Sequence, residues 1–151
     1  MADRAKAWVL DVGGPFLIAI SEYEMVEVLE TPESFPVLRG PDYCRRVIVR
    51  HNEVMPLIDL SKISSEVDAS QDETVNDYTV ILAYQESSEK MVSRAGLLVR
   101  RAPKGITVGD EMELLPPGGI AAEWKDLMIA CFEWDHNTVL IPDLRRILVA
   151  G

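Results

Sequence analysis

Residues 46–63, RVIVRHNEVMPLIDLSKI, constrain the fold of this chain more than any other stretch. They read as a β-hairpin: an apolar strand, a His51-Asn52 turn, a second apolar strand, then Asp59 opening a short helical turn. Asn tolerates the positive φ that a tight hairpin turn requires. A carboxylate at the start of a helical turn accepts backbone N–H bonds and is favoured there by the helix dipole, so Asp59 is expected to cap. A shorter version returns at residues 136–148, HNTVLIPDLRRIL, with Asp143 in the same setting. Both copies begin His-Asn, cross an apolar run and reach Asp-Leu, then a basic residue and Ile. The repeat predicts two related β units side by side. Asn52 to Asp59 spans seven steps and Asn137 to Asp143 spans six, which predicts a bulge in the first copy.

The remaining segments fit a β-rich chain. Residues 7–21 read as a hairpin, AWVLDV and FLIAIS about a GGP turn. In residues 22–31, Met25, Val28 and Leu29 fall at i, i+3 and i+4, which predicts a short amphipathic helix ended by Pro32. Residues 33–42 hold two Pro and one Gly and predict an extended loop. Residues 64–77 carry five acidic residues and no basic one, as expected of a solvated linker between two halves. Strands are expected at 78–85, 91–101, 124–134 and 138–141. Residues 102–113 predict an extended connection, 114–119 a loop and 144–149 a last helical turn. Many short strands separated by turns indicate barrels or sandwiches.

The chemistry is sparse. A formal charge of -10 argues against general nucleic-acid binding, which needs a basic face, and against docking on anionic lipid. Cys44 and Cys131 have no CxxC and no His at ligand spacing, so they read as buried thiols rather than zinc ligands, in keeping with a cytosolic location. No apolar run approaches the roughly 20 residues needed to span a bilayer, and the apolar start lacks the features of a signal peptide. GxGxxG, Walker, GxSxG and HExxH motifs do not occur. Each His precedes Asn at a hairpin tip, and His51 lies a strand's length from Asp59, too far for a hydrogen bond. No enzymatic role, metal, cofactor or small-molecule substrate is expected. Basic residues form small groups, among them Arg100 and Arg101, which would suit an acidic partner surface.

At this point the motifs carry a resemblance. The stretch VIVRHNEVMPLIDL is similar to the signature hairpin of CheW-like domains, the coupling proteins of bacterial chemosensory arrays, whose pattern is roughly GVINLRGEVVPVIDL. Glu53, Val54, Pro56, Ile58, Asp59 and Leu60 match it directly. Residues 25–29, MVEVL, resemble the family's V-x-E-V-L helix after the first hairpin; residues 95–99, AGLLV, its V-G-L-L-V strand; and residues 139–148 its closing V-x-x-L-D-L-x-x-L-L. The four motifs stand in the family's order and cover nearly the whole chain.

The resemblance implies a mainly β fold of two pseudo-symmetric five-stranded SH3-like barrels with short helices. One domain is expected over 1–151, with approximate halves 16–77 and 78–151 and strand 7–15 completing a barrel. It implies a non-catalytic, cytoplasmic adaptor that links the tips of methyl-accepting receptors to the regulatory domain of a CheA-type histidine kinase. Phe35, Val37 and Leu38, with Val49 and His51 of the hairpin, are the expected partner face, and Arg100 and Arg101 are expected to meet an acidic partner. The chain departs from the pattern where His51-Asn52 replaces Arg-Gly, Arg46 replaces Gly, Val49 replaces Asn, and Arg100-Arg101 replaces Asp-Glu. Such drift suits an accessory coupling protein, for example in a type IV pilus (twitching) chemosensory system. The alternative is an SH3-like protein- or peptide-binding module for an unrelated partner.

Overall fold

The computed structural model describes residues 4–13, 16–30, 33–37, 44–62, 78–85, 89, 91–109, 113–114 and 122–149. Among the described residues, twelve strands form two six-stranded sheets. The first contains β1 (Arg4–Leu10), β2 (Leu17–Ser21), β9 (Lys104–Gly109), β10 (Glu113–Leu114), β11 (Met128–Trp134) and β12 (Asn137–Pro142), ordered β10-β11-β12-β2-β1-β9. The second contains β3 (Met25–Glu30), β4 (Ser34–Pro36), β5 (Arg46–Arg50), β6 (Glu53–Ile58), β7 (Tyr78–Tyr84) and β8 (Ser93–Val99), ordered β4-β5-β6-β8-β7-β3. Each sheet has one very short member, β10 of 2 residues and β4 of 3. We call the two units the terminal barrel and the middle barrel.

The two orders are the same pattern. Each has one parallel pair at the same place: β12 with β2, joining Val139 to Leu17, and β6 with β8, joining Leu57 to Gly96. All other neighbours are antiparallel. The middle barrel uses six consecutive strands, whereas the terminal barrel takes its last two, β1 and β2, from the opposite end of the chain. Strands β7 and β8 thus share a sheet with β3–β6, so the sheets do not part at the acidic stretch 64–77. That stretch lies outside the described residues.

Alternation places side chains in three apolar groups. Ile48, Met55, Leu57 and Ile81 fill the middle barrel. Ala19, Phe132 and Val139 line the terminal barrel. Between the barrels lies a larger layer that includes Leu10, Ile18, Ile20, Val80, Leu82, Leu97, Val99 and Leu140. A sheet that is apolar on both faces accounts for the near-continuous apolar runs of β7 and β8.

Several expectations change. Residues 25–30 form strand β3, not a helix; exposure alternates along it, Met25, Glu27 and Leu29 being the less exposed, with Met25 packed on the layer between the barrels and Leu29 in the middle barrel. Exposed Val26 and Val28 beside half-buried Glu27 run against the polarity expected of the two sides, and a register shift falls between Met25 and Glu27. The loop expected over 33–42 contains β4, the extended connection over 102–113 contains β9, and the strand expected from Trp124 begins only after α1 (Ala122–Asp126). The second hairpin turns one residue earlier than expected. Asp135 and His136 have φ 49° and 63°, matching His51 and Asn52 at 52° and 62°. From the second turn residue to the aspartate is then seven steps in both copies. No bulge interrupts the β5–β6 register; the irregularity lies in β11, between Met128 and Ala130.

The expected cap is present: Asp59 Oδ1 accepts the Ser61 N–H at 3.1 Å at the start of a 3-10 turn over Leu60–Lys62. At Asp143, before α2 (Leu144–Val149), the backbone carbonyl accepts the Arg146 and Ile147 N–H groups at 3.0 and 3.2 Å. Gly13 has φ +82°, and a Cβ there would stand 2.5 Å from Arg100 Nε. A Cβ on Gly96 would lie 2.8 Å from Ile48 Cδ1 and 3.0 Å from Thr79 Cγ2, inside the filled middle barrel. Gly96→Ala is therefore expected to cost about 1–3 kcal/mol through overpacking, measured by denaturant unfolding; an unchanged midpoint would contradict this packing.

Candidate partner-docking site

The hairpin β5–β6 and its neighbour β4 form a three-stranded ribbon with two different faces. Ile48 pairs with Met55 toward the barrel interior, where both are buried. The alternate positions point out: Val47 opposite Pro56, and Val49 opposite Val54. Phe35 on β4 sits opposite Val47 and so joins the same outer face. Phe35, Val49 and Val54 are 44%, 49% and 65% exposed. Water contacts these apolar groups directly, and clustered exposure of this kind marks interaction surfaces.

The related hairpin β11–β12 shows that this exposure is not a property of the architecture. Its corresponding outward pairs are Glu133 with Thr138 and Cys131 with Leu140. The first is polar. The second is buried in the layer between the barrels. The middle barrel thus presents valines where its counterpart has Glu and Thr.

Electrostatic contacts hold the tip of the ribbon. Arg50 donates from Nε and Nη2 to the two carboxylate oxygens of Glu27 at 3.0 and 2.8 Å. Strands β3 and β5 are not hydrogen-bonded neighbours, so this bidentate pair ties one edge of the curled sheet to the far hairpin. His51 Nε2 stands 3.8 Å from Glu27 Oε1, and Arg94 Nη1 stands 3.5 Å from Glu53 Oε2. In the terminal barrel the corresponding positions are Lys104 and Trp134, and Lys104 Nζ stands 5.3 Å from the Trp134 ring centroid, a cation–π contact. Both barrels thus fasten the same hairpin to the same edge strand with different chemistry.

The expected partner residues separate into two groups. Phe35, the half-buried Val37, Val49 and His51 belong to the ribbon; Leu38 lies outside the described residues. Arg100 and Arg101 are elsewhere. Because β6 and β8 run parallel, the hairpin tip lies near the start of β8, whereas the two arginines follow its end. A seven-residue strand separates the groups by roughly 20 Å. Arg100 packs on Gly13, and its backbone N–H donates to the Asp11 carbonyl at 2.7 Å. Arg101 reaches outward, 84% exposed, with Nε 3.6 Å from Asp11 Oδ2.

Sequence reasoning missed Val54, Val47 and Pro56. The signal was available, since a two-residue turn at 51–52 makes Val49 and Val54 a facing pair with closely spaced side chains. It missed Glu27 because a helical reading turned that residue away from the buried stripe. Cys131 is buried, Cys44 is half-buried, and neither forms a disulfide; burial pushes the Cys44 thiol pKa up, which disfavours the thiolate. Among the described residues, no three His, Cys, Asp or Glu side chains gather to hold a metal ion, and no helix is long and apolar enough to cross a membrane.

Hydrogen bonding from Arg50, helped by the Arg50 and His51 charges, holds the Glu27 carboxyl below the ordinary glutamate range. The folded state therefore binds fewer protons at Glu27 than the unfolded state does. Its stabilisation is complete above the ordinary glutamate pKa and is lost as pH falls through the lowered value. The stability difference between wild type and Glu27→Gln should shrink toward zero as unfolding is followed from pH 6 to pH 3. A pH-independent difference would mean that the pair does not form in solution.

A CheW-like domain matches residues 9–150 of the chain. A search of curated proteins finds no match. Among solved structures, the fold is similar to that of the scaffolding protein TtCheW from Thermoanaerobacter tengcongensis, with a TM-score of 0.72 and 16% identity over 96% of this chain and 92% of that one. The paired barrels, the ordered signature motifs and this near-complete match together establish that the chain belongs to the CheW-like domain family.

Proposed function

We propose that the protein is a non-catalytic scaffold of a chemosensory complex, working in the cytoplasm as one domain over 1–151. In this reading it joins methyl-accepting receptor tips to the regulatory domain of a CheA-type histidine kinase. The carrying observation is the exposed ribbon face of Phe35, Val49 and Val54 on a rigid two-barrel body. An adaptor of this kind acts by geometry: one surface fixes a receptor, another fixes the kinase, and kinase activity follows their relative placement. The ribbon supplies an apolar outer face, and Glu27, Arg50, His51, Glu53 and Arg94 form a charged cluster at the hairpin tip beside it. An apolar centre with a polar rim is the usual anatomy of a protein interface.

We place kinase docking on the ribbon. Arg100 and Arg101, at the other end of β8, serve a separate acidic contact. His51-Asn52 at the turn, in place of the family's Arg-Gly, supports membership of an accessory system such as one that controls type IV pili. A neighbouring pilus or receptor gene would support that assignment, and neighbours unrelated to signalling would count against it.

Val49→Glu and Val54→Glu change outward positions and should leave the fold intact. Each is expected to weaken kinase-domain binding about tenfold or more, a loss of at least 1.4 kcal/mol, when measured by calorimetry. Unchanged affinity in both would remove the ribbon from the interface. Binding through Arg101 should weaken as salt rises from 0.05 to 0.5 M, as expected of exposed charges, and Arg101→Ala should flatten that dependence. A salt-independent affinity would leave Arg101 merely solvated.

A further inference from the structure

Met91 stands two residues before β8 and is 90% exposed, more than any other large apolar side chain among the described residues. The parallel pairing of Leu57 with Gly96 and of Ile58 with Leu97 sets the start of β8 beside the start of β6, and Arg94 Nη1 stands 3.5 Å from Glu53 Oε2 there. Counted back along that register, Ser93 is level with Val54 and Met91 with the turn residue Asn52. Alternation then assigns the faces. Gly96 faces the barrel interior against Ile48, so Ser93 and Met91 fall on the opposite side, which is also the side of outward-pointing Val54. With neighbouring strands about 5 Å apart, the backbone at Met91 passes roughly 8 Å from that at Val54. The long thioether side chain therefore extends the apolar face of Val49 and Val54.

The other described methionines are shielded. Met55 is 3% exposed inside the middle barrel, and Met25 and Met128 pack on the layer between the barrels. Methionine oxidation turns a flexible apolar side chain into a polar one and disrupts surfaces that rely on it. We propose that Met91 is a redox-sensitive modification site whose sulfoxide weakens partner docking on the ribbon, a role that rests on the ribbon's being the kinase-docking face. The oxidant is hydrogen peroxide. Met91 Sδ attacks one peroxide oxygen, the O–O bond breaks, and the sulfur keeps that oxygen while the peroxide takes up two electrons. The proton of the transferred OH leaves with the other oxygen as water. In the free protein the new S–O dipole stays hydrated; docking against an apolar partner strips that hydration without supplying a donor. Two thiols reverse the step, removing the oxygen as water and ending as a disulfide, in the reaction that methionine sulfoxide reductases catalyse.

The full-length protein is treated with dilute hydrogen peroxide, the added oxygen is located by peptide mass spectrometry, and affinity for the kinase regulatory domain is measured by calorimetry. Met91 should take up oxygen well before Met55, and its complete oxidation should weaken binding about tenfold. Methionine sulfoxide reductase with a dithiol should restore the affinity. Met91→Leu keeps an apolar side chain and should bind as wild type does, before and after peroxide; Met91→Gln should bind weakly with no oxidant present. Unchanged affinity after complete oxidation of Met91, or the same loss in peroxide-treated Met91→Leu, would overturn the modification site. Val54→Glu in the same assay separates that result from failure of the docking face. If Val54→Glu weakens binding and the sulfoxide does not, Met91 alone is excluded; if neither does, the ribbon is not the kinase surface and the role of Met91 falls with it.

Discussion

The apolar layer between the two curled sheets sets the position of everything else in this molecule. Leu10, Ile18, Val80, Leu82, Val99 and Leu140 are each at most 1% exposed, and they come from both barrels. Burying each such side chain is worth roughly 1.5–3 kcal/mol relative to leaving it in water. Because both sheets use one face for their own barrel and the other for this layer, neither can slide by one residue without exposing an entire apolar set. The layer therefore fixes one barrel against the other. That rigidity is what a scaffold requires, since a bridge that bends at its middle cannot hold two partners at a set separation.

Against that frame, the contacts at the hairpin tips are small in energy but specific in placement. Glu27 and Arg50 are partly exposed, and exposed pairs contribute little to stability. Their role is to stop the tip of β5–β6 from splaying away from edge strand β3, which keeps Val49 and Val54 presented as one surface. Lys104 and Trp134 do the corresponding work in the other barrel. The outer faces of the two hairpins diverge. One architecture thus carries an apolar outer pair, Val49 and Val54, on one copy and a polar pair, Glu133 and Thr138, on the other.

Much of the fold is legible in the sequence because hairpins leave local marks. His51-Asn52, the alternation on either side and Asp59 specify the first hairpin and its cap without reference to the rest of the chain. The helix expected around Met25 failed for a local reason too. Met25, Val28 and Leu29 stand at helical spacing although Val28 is an exposed strand residue, while half-buried Glu27 looks like the polar side. Its partner, Arg50, is 23 residues away, and no local pattern announces such a pairing. The repeated His-Asn dipeptide hides the second turn, because the two successive positive φ values that the turn requires fall on Asp135 and His136. Part of the candidate site was legible as residue types, Phe35, Val49 and His51. Its completion by Val54 depends on register, and the distance to Arg100 and Arg101 depends on the parallel β6–β8 pair.

If the chain is a bridge, its two partners must occupy different surfaces at the same time. The direct measurement is the mass of the complex formed when the kinase regulatory domain and a receptor signalling fragment are mixed with the protein together, by sedimentation or light scattering. A ternary complex with the summed mass is expected, each partner binding as tightly in the presence of the other as alone. Displacement of one partner by the other, leaving only binary complexes, would contradict the scaffold reading.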